Sequence, residues 1–328
     1  MTLSKAVLLV VFKRPDLTSK MLDILSKVRP PRLYIAADGP RPEKRGEAEK
    51  CVAVRELLNE IPWPCEVFRD FAEKNLGSCD RVSSAITWFF DNETDGIILE
   101  DDCQPSESFF PYCEELLDRY RDDPRVMVIS GDRGVKKDAD VPDSYYFSKY
   151  ILTWGWATWR RAWKHFDSQL PTWPAFQRGP LRGKCLHEAE FLYWSTRVDR
   201  ALNRELDAWD FQWFMCCWMQ HGVAAIPARN LVQNVGFDAD ATHTKDKLLG
   251  NFSYNKSSLT FPLKHPTAVR TTPALEASLW KDKYKPAGIL KRLLRKVILA
   301  IRLIAKIPFP SAKNMAVPTA EVAKGKTA

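Results

Sequence analysis

The chain has 328 residues, 45% of them apolar and 27% charged, so it can bury a core as one large domain or two intimate ones and is not a disordered protein. The net charge of +8 is uneven: residues 281–328 hold twelve Lys or Arg against two acids, and the preceding 280 residues carry −2, a balance that argues against a nucleic-acid-binding face there. Eight cysteines with no CxxC pair and no regular spacing argue against a zinc site or a disulfide framework, and for reduced thiols in a cytoplasmic protein.

The first apolar run, Ala6 to Phe12, is short, lacks a small-residue cleavage site and leads into Lys13-Arg14-Pro15-Asp16, so it reads as a strand and not as a signal peptide. Further strands are predicted at Leu33 to Ala37, Cys65 to Phe68, Gly96 to Leu99 and Val126 to Ser130. Stretches of helical period separate them: Leu17 to Val28, Glu43 to Glu60 and Asp80 to Phe90. Alternation of this kind implies a βαβ series and a mostly parallel sheet. Polar residues follow the strands: Arg14 after the first, Asp38-Gly39 after the second, and Glu100-Asp101-Asp102 after the fourth. Open α/β sheets bind ligands at such carboxyl ends. Three adjacent acids repel one another, and the pattern fits either a hard-oxygen site for magnesium or manganese carrying a phosphorylated ligand, or a solvated turn that caps the next helix. Asp38-Gly39 is likewise either an ordinary turn or part of the same crevice.

The second half, Ser144 to Phe237, is less regular and rich in aromatics. Nine tryptophans fall between Trp154 and Trp218, fitting a core layer for most of them and a stacking role for one or two. A glycine-centred turn is expected at Thr153-Trp154-Gly155-Trp156, a helix at Asp210 to Gln220, and strands near Val223 to Ile226 and Leu231 to Val235. Asp210 at the helix start suits either an N-cap or a general base. Near the end of this half, His243 sits among two acids and two threonines, as a ligand or as an exposed loop residue, in a segment from Gly236 to Asn255 that suits a lid.

From Ile289 to Ile307, Leu290, Leu293, Leu294, Val297, Ile298 and Ile301 recur at helical spacing opposite Lys291, Arg292, Arg295, Lys296, Arg302 and Lys306. This basic amphipathic helix is too charged to span a bilayer and suits an anionic leaflet, or else docks on the protein with its lysines in solvent. The tail beyond Pro308 has the composition of a disordered segment.

These motifs together resemble the GT-A nucleotide-sugar glycosyltransferases, and within them the N-acetylglucosaminyltransferase I type, where EDD replaces the commoner DxD. The resemblance covers roughly residues 5 to 244 and rests on order: Arg14, Asp38-Gly39, Glu100-Asp101-Asp102, the turn from Gly155 to Trp159, Trp209-Asp210, and Gly236 with His243. It implies a GT-A α/β fold in four parts: a nucleotide-sugar-binding half (1–135), an acceptor half (136–280) whose Gly155-Trp156 turn touches the donor, a membrane-associating helix (281–310) and a disordered tail (311–328). It implies that Asp102, with His243, binds Mn²⁺ or Mg²⁺ bridging the donor diphosphate, that Asp101 holds the ribose or sugar, and that Glu100 supports both. Arg14 and Asp38 would recognise the uracil, with Lys74, Asn75 and Arg81 near the phosphates and sugar. Asp210 would be the base of an inverting transfer, with Asp207 as its rival, because the family's acidic pair is here interrupted by Ala208-Trp209. The partners implied are a UDP-sugar such as UDP-GlcNAc, a glycan or lipid-linked acceptor of the cell envelope, and, through residues 285–307, the inner leaflet of the membrane. The rivals are a nucleotidyltransferase, disfavoured because Val11-Phe12-Lys13-Arg14-Pro15 lacks glycine, and an inactive glycan-binding protein.

Overall fold

The computed structural model describes residues 2–136, 141–236 and 255–284. His243, all but the two ends of the segment expected as a lid at 236–255, the expected amphipathic helix from Ile289 to Ile307 and the tail lie outside them.

The first half alternates β1 (Val7–Val11), α1 (Pro15–Val28), β2 (Arg32–Ala37), α2 (Glu47–Leu57), β3 (Glu66–Phe71), α3 (Gly77–Asn92) and β4 (Asp95–Glu100). The short β5 (Cys103–Pro105), α4 (Phe109–Arg119) and β6 (Val126–Ser130) follow. Next come β7 (Tyr145–Ser148), β8 (Trp156–Trp159) and the short helices α5 (Arg160–Trp163), α6 (Trp173–Arg178) and α7 (Pro180–Lys184). The described chain ends with α8 (Glu188–Leu202), α9 (Asp210–Met219), β9 (Val223–Pro227), β10 (Val232–Asn234), α10 (Pro273–Leu279) and a π-helical turn, Trp280–Tyr284.

Among the described residues one eight-stranded sheet runs β3-β2-β1-β4-β8-β6-β9-β7, and β5 pairs with β10 in a separate antiparallel ribbon. β3, β2, β1 and β4 are parallel, as are β6 and β9; β8 and β7 run antiparallel to their neighbours. The sheet is therefore the mostly parallel, helix-flanked α/β sheet expected of the GT-A class. β1 shows why: Val7-Leu8-Leu9-Val10-Val11 is apolar throughout and fully buried, the signature of a strand covered on both faces. Leu8, Val10 and Ile98 enter one core layer, and Val7, Leu9, Ile97 and Leu99 the other. In α1, Pro15 presets the first turn, Leu17, Met21, Leu22, Leu25 and Val28 form the buried stripe, and Arg29 at φ 49° ends the helix.

Two features depart from expectation. The expected turn at Thr153 to Trp156 runs straight into β8, an antiparallel strand wedged between β4 and β6. Trp156-Ala157-Thr158-Trp159 is buried on both faces, so its four residues show no period-2 alternation that would mark them as a strand. The strand β7 and the helices α4 and α8 also extend what the motifs alone indicated.

The tryptophans are core. Of the nine from Trp154 to Trp218, all but Trp154 are at most 4% exposed. Trp156, Trp163, Trp209 and Trp213 pack ring on ring beneath the sheet's second half. By contacts the chain divides at Tyr284 into residues 1–284 and 285–328, and the sheet of the first unit draws strands from both of its halves. All eight cysteines are free thiols. Among the described residues no helix is long and apolar enough to cross a membrane.

Candidate functional site

Register brings the carboxyl ends of the central strands level. Val10 lies opposite Ala36 of β2 on one side and Glu100 of β4 on the other. Phe12 to Arg14, Asp38 and Glu100 to Asp102 therefore emerge together, on one wall of a cleft of about 530 Å³; the opposite wall comes from the α8–α9 corner, including Arg197 and Asp207 to Phe211. This is the edge of an open α/β sheet at which ligands are received.

The three acids are gathered there and poorly hydrated. Burial, then repulsion from Asp102, Asp101 and Asp210, pushes the Glu100 carboxyl up to about 8. Burial and Asp102 push Asp101 up to about 7. Asp101 receives the Phe12 amide, yet its Oδ2 is buried without a partner. Asp102 is better supplied. Arg14 Nη1 lies 3.0 Å from its Oδ2 and 4.0 Å from Asp101 Oδ1. Asn234 Nδ2 donates to Asp102 Oδ1 at 3.3 Å, and the Val235 amide donates to the Asp102 carbonyl at 2.9 Å. A Cβ on Gly236 would fall 2.0 Å from Asp102 Oδ2 and 3.0 Å from Arg14 Nη1, so only glycine lets the backbone lie against this ion pair. Arg14 thus answers the acids, where uracil recognition was expected of it.

Asp38 is also differently employed. Its Oδ1 accepts the amides of Gly39 and Leu76, both at 2.9 Å, and its Oδ2 accepts Asn75 Nδ2 at 2.7 Å and the Gly77 amide at 3.2 Å. Four donors fill the acceptor capacity of one carboxylate. Asp38 therefore latches the loop before α3, and a base N–H would have to displace one of these bonds. Gly39 is required because the loop crosses it closely: a Cβ there would meet the Lys74 and Glu73 backbone at 2.5 to 2.7 Å. Asn75 lines the cleft through this latch, while Lys74 is exposed and outside the lining. Arg81 reaches the cleft with Nη1 on Asp70 Oδ2 at 2.7 Å and Nη2 on the Asp70 carbonyl at 2.6 Å; its Nε is buried without a partner.

The two candidate bases separate. Asp207 accepts the amides of Ser78 and Cys79 at 2.8 and 2.7 Å, capping α3 from a distant loop at the helix end where an anion is favoured. Asp210 is the first residue of α9, with Trp209 at the cap position, and it is solvent-exposed at the cleft wall. Trp156 is a correction: it is 1% exposed and stacks 5.7 Å from Trp209, so it supports the wall without lining it. Gly155 is likewise structural, at φ 61° with Val232 2.7 Å from a would-be Cβ.

The structure adds residues that the motifs did not indicate. Phe12 is half-buried in the cleft between Lys13 Nζ and the Arg41 guanidinium, 5.2 and 5.6 Å from its ring centre. Glu47 binds both cations, which hold its carboxyl down at about 2. Thr153 and the half-buried Trp154 line the cleft beside β8. Arg197, on α8, lines the far wall. An aromatic directly after the first strand was a usable signal for Phe12; nothing local marks Arg197, which reaches the cleft only through tertiary packing.

A divalent cation fits this chemistry in a specific way. Among the described residues no group of three or more His, Cys, Asp or Glu is arranged to hold one unaided. Asp101 Oδ2 and Asp102 offer one or two hard oxygens, the number that Mg²⁺ takes from protein when substrate phosphates supply the rest.

No family model and no curated protein sequence matches the chain. Among solved structures, mouse xyloside xylosyltransferase 1 in its apo form aligns over 67% of this chain and 83% of its own at 12% identity, with a TM-score of 0.32. A UDP-glucose pyrophosphorylase complexed with UDP-glucose aligns over 49% and 70% at 8% identity, with a TM-score of 0.26. TrmK of M. capricolum with S-adenosyl-homocysteine aligns over 64% and 94% at 8% identity, with a TM-score of 0.19. All three scores are low, so the fold class rests on the strand order and registers of the chain itself.

Proposed function

We propose that this chain is a glycosyltransferase that moves a sugar from a UDP-sugar, UDP-GlcNAc among the candidates, to a hydroxyl of a glycan or lipid-linked acceptor with inversion. The observation that carries this reading is the trio Glu100, Asp101 and Asp102 at the end of β4, two of them pushed towards neutrality and one oxygen left unpartnered, inside a cleft able to admit a nucleotide. Asp101 and Asp102 would hold Mn²⁺ or Mg²⁺ together with the donor diphosphate. The bound ion would neutralise charge developing on the leaving group.

The protein's own part follows from its residues. Arg14, beside Asp102, is placed to follow the diphosphate as that carboxylate turns to the cation. Phe12, with the Arg41 guanidinium over its ring, would lie beside the base. Asp210, on the opposite wall, accepts the acceptor hydroxyl proton as that oxygen bonds to the anomeric carbon; the carbon–oxygen bond to the β-phosphate breaks and its electron pair leaves with UDP. The basic amphipathic pattern of residues 285–307 suits a peripheral position at the cytoplasmic leaflet, where a lipid-linked acceptor is presented.

A screen of UDP-sugars with Mn²⁺, read by UDP release, tests the reading. One donor should be hydrolysed slowly without acceptor and faster with it, and Asp102→Ala should abolish both. If no donor is turned over or bound, or if Asp102→Ala changes nothing, the reading fails.

A further inference from the structure

Five cationic side chains among the described residues line the cleft, and four are answered by carboxylates: Lys13 and Arg41 by Glu47, Arg14 by Asp102, Arg81 by Asp70. Arg197 differs. Half-buried on α8, it has no carboxylate within salt-bridge distance among the described residues, and its guanidinium instead lies over the Tyr193 ring, 5.3 Å from the centre. Tyr193 is itself fixed edge-on between Trp194 and Trp280, at 5.1 and 5.5 Å. A guanidinium stacked on a fixed ring is preorganised and keeps its N–H fork for a planar or tetrahedral oxyanion. Holding a partly buried charge without a counter-ion is unfavourable unless a ligand supplies one. The nearest acid in sequence on that wall, Asp207, already accepts two α3 amides.

We propose that Arg197 forms an anion subsite on the acceptor side of the cleft, so that the acceptor carries a carboxylate or phosphate ester near the hydroxyl that reacts. This rests on the transferase reading and specifies its acceptor class. Fixing the acceptor's charge at Arg197 keeps it away from Glu100, Asp101 and Asp102 and turns its hydroxyl towards Asp210. Arg197 is then a specificity-determining residue, and the donor does not use it.

Calorimetric titration of the full chain with methyl β-glucuronide, methyl β-glucoside and glucose 6-phosphate, each with and without saturating UDP and Mn²⁺, tests this. Wild type should bind one of the two anionic sugars about tenfold or more tighter than the neutral glucoside, the size expected of a charge-assisted contact. Which anion wins distinguishes carboxylate from phosphate. Arg197→Gln should erase the preference, Arg197→Lys should keep part of it, and neither should change the affinity for UDP. Equal binding of charged and neutral sugars by wild type overturns the proposal, as does an Arg197→Gln loss that falls equally on UDP. Absence of UDP binding in wild type sinks the transferase reading separately, while an Arg197-dependent anion preference without UDP still supports the subsite.

Discussion

Asp207 and Asp210 stand three residues apart and divide two tasks. Asp207 has both oxygens on amides at the start of α3, so Asp207→Asn should cost about 1 kcal/mol of stability, the usual value of a lost cap, with turnover little changed. Asp210→Asn should leave the melting temperature and UDP affinity as they are and lower kcat by about 10²- to 10⁴-fold. Steady-state kinetics beside thermal melts separates the two; a reversed pattern would exchange their roles. The buried acids make a second residue-level claim. Burial and mutual repulsion push the Glu100 and Asp101 carboxyls up, to about 8 and about 7, from the ordinary value of about 4 that they have when unfolded, so the folded state binds their protons more tightly. The stability this gives is intact below about pH 4 and is lost as pH rises through 7 and 8. The metal-free melting temperature should therefore fall between about pH 5 and 8.5, and Mn²⁺ should restore more of it at the alkaline end, where the carboxylates are ionised. Glu276, raised to about 7 by burial far from the acids, adds to the same fall, and Glu276→Gln removes its share but leaves the Mn²⁺-responsive part. A flat profile that Mn²⁺ does not alter would contradict the assignment of the acids.

At the scale of elements, the parallel half was legible in the sequence because its strands are continuous apolar runs closed by polar residues and separated by helices with clear stripes. Residues such as Pro15 and Arg29 mark real boundaries. β8 was hidden because Trp156 to Trp159 is buried on both faces and short, and its place between β4 and β6 is a tertiary fact. The site was legible by position more than by role. Arg14, Asp38, Asn75, Arg81 and Glu100 to Asp102 all reach the cleft, because strand ends in a parallel sheet must converge. Arg14 pairs with Asp102 and Asp38 holds a loop because partners 88 and 38 residues away decide each job. The latch yields a prediction: Asp38→Ala removes the acceptor for three amides and Asn75, so hydrogen exchange at Leu76 and Gly77 should rise while α1 and β1 stay protected. Unchanged exchange there would show that the loop holds itself.

For the molecule as a whole, charge is partitioned between a nearly neutral body that carries the cleft and a strongly basic terminal segment. If residues 285–307 bind the membrane surface, deleting Lys285–Ala328 should release the protein from vesicles containing anionic lipid and leave UDP binding intact, as measured by sedimentation and calorimetry. The intact chain should also lose vesicle binding as salt is raised. Vesicle binding unaffected by the deletion would move the membrane contact to the body.

The central claim is that Glu100, Asp101 and Asp102 form the cation-and-diphosphate half of a donor site. Thermal denaturation with UDP, Mn²⁺ and both together tests it most directly. The two together should stabilise wild type by more than the sum of each alone, and Asp102→Ala should lose that excess. Stabilisation by UDP that ignores Mn²⁺ and survives Asp102→Ala would contradict it.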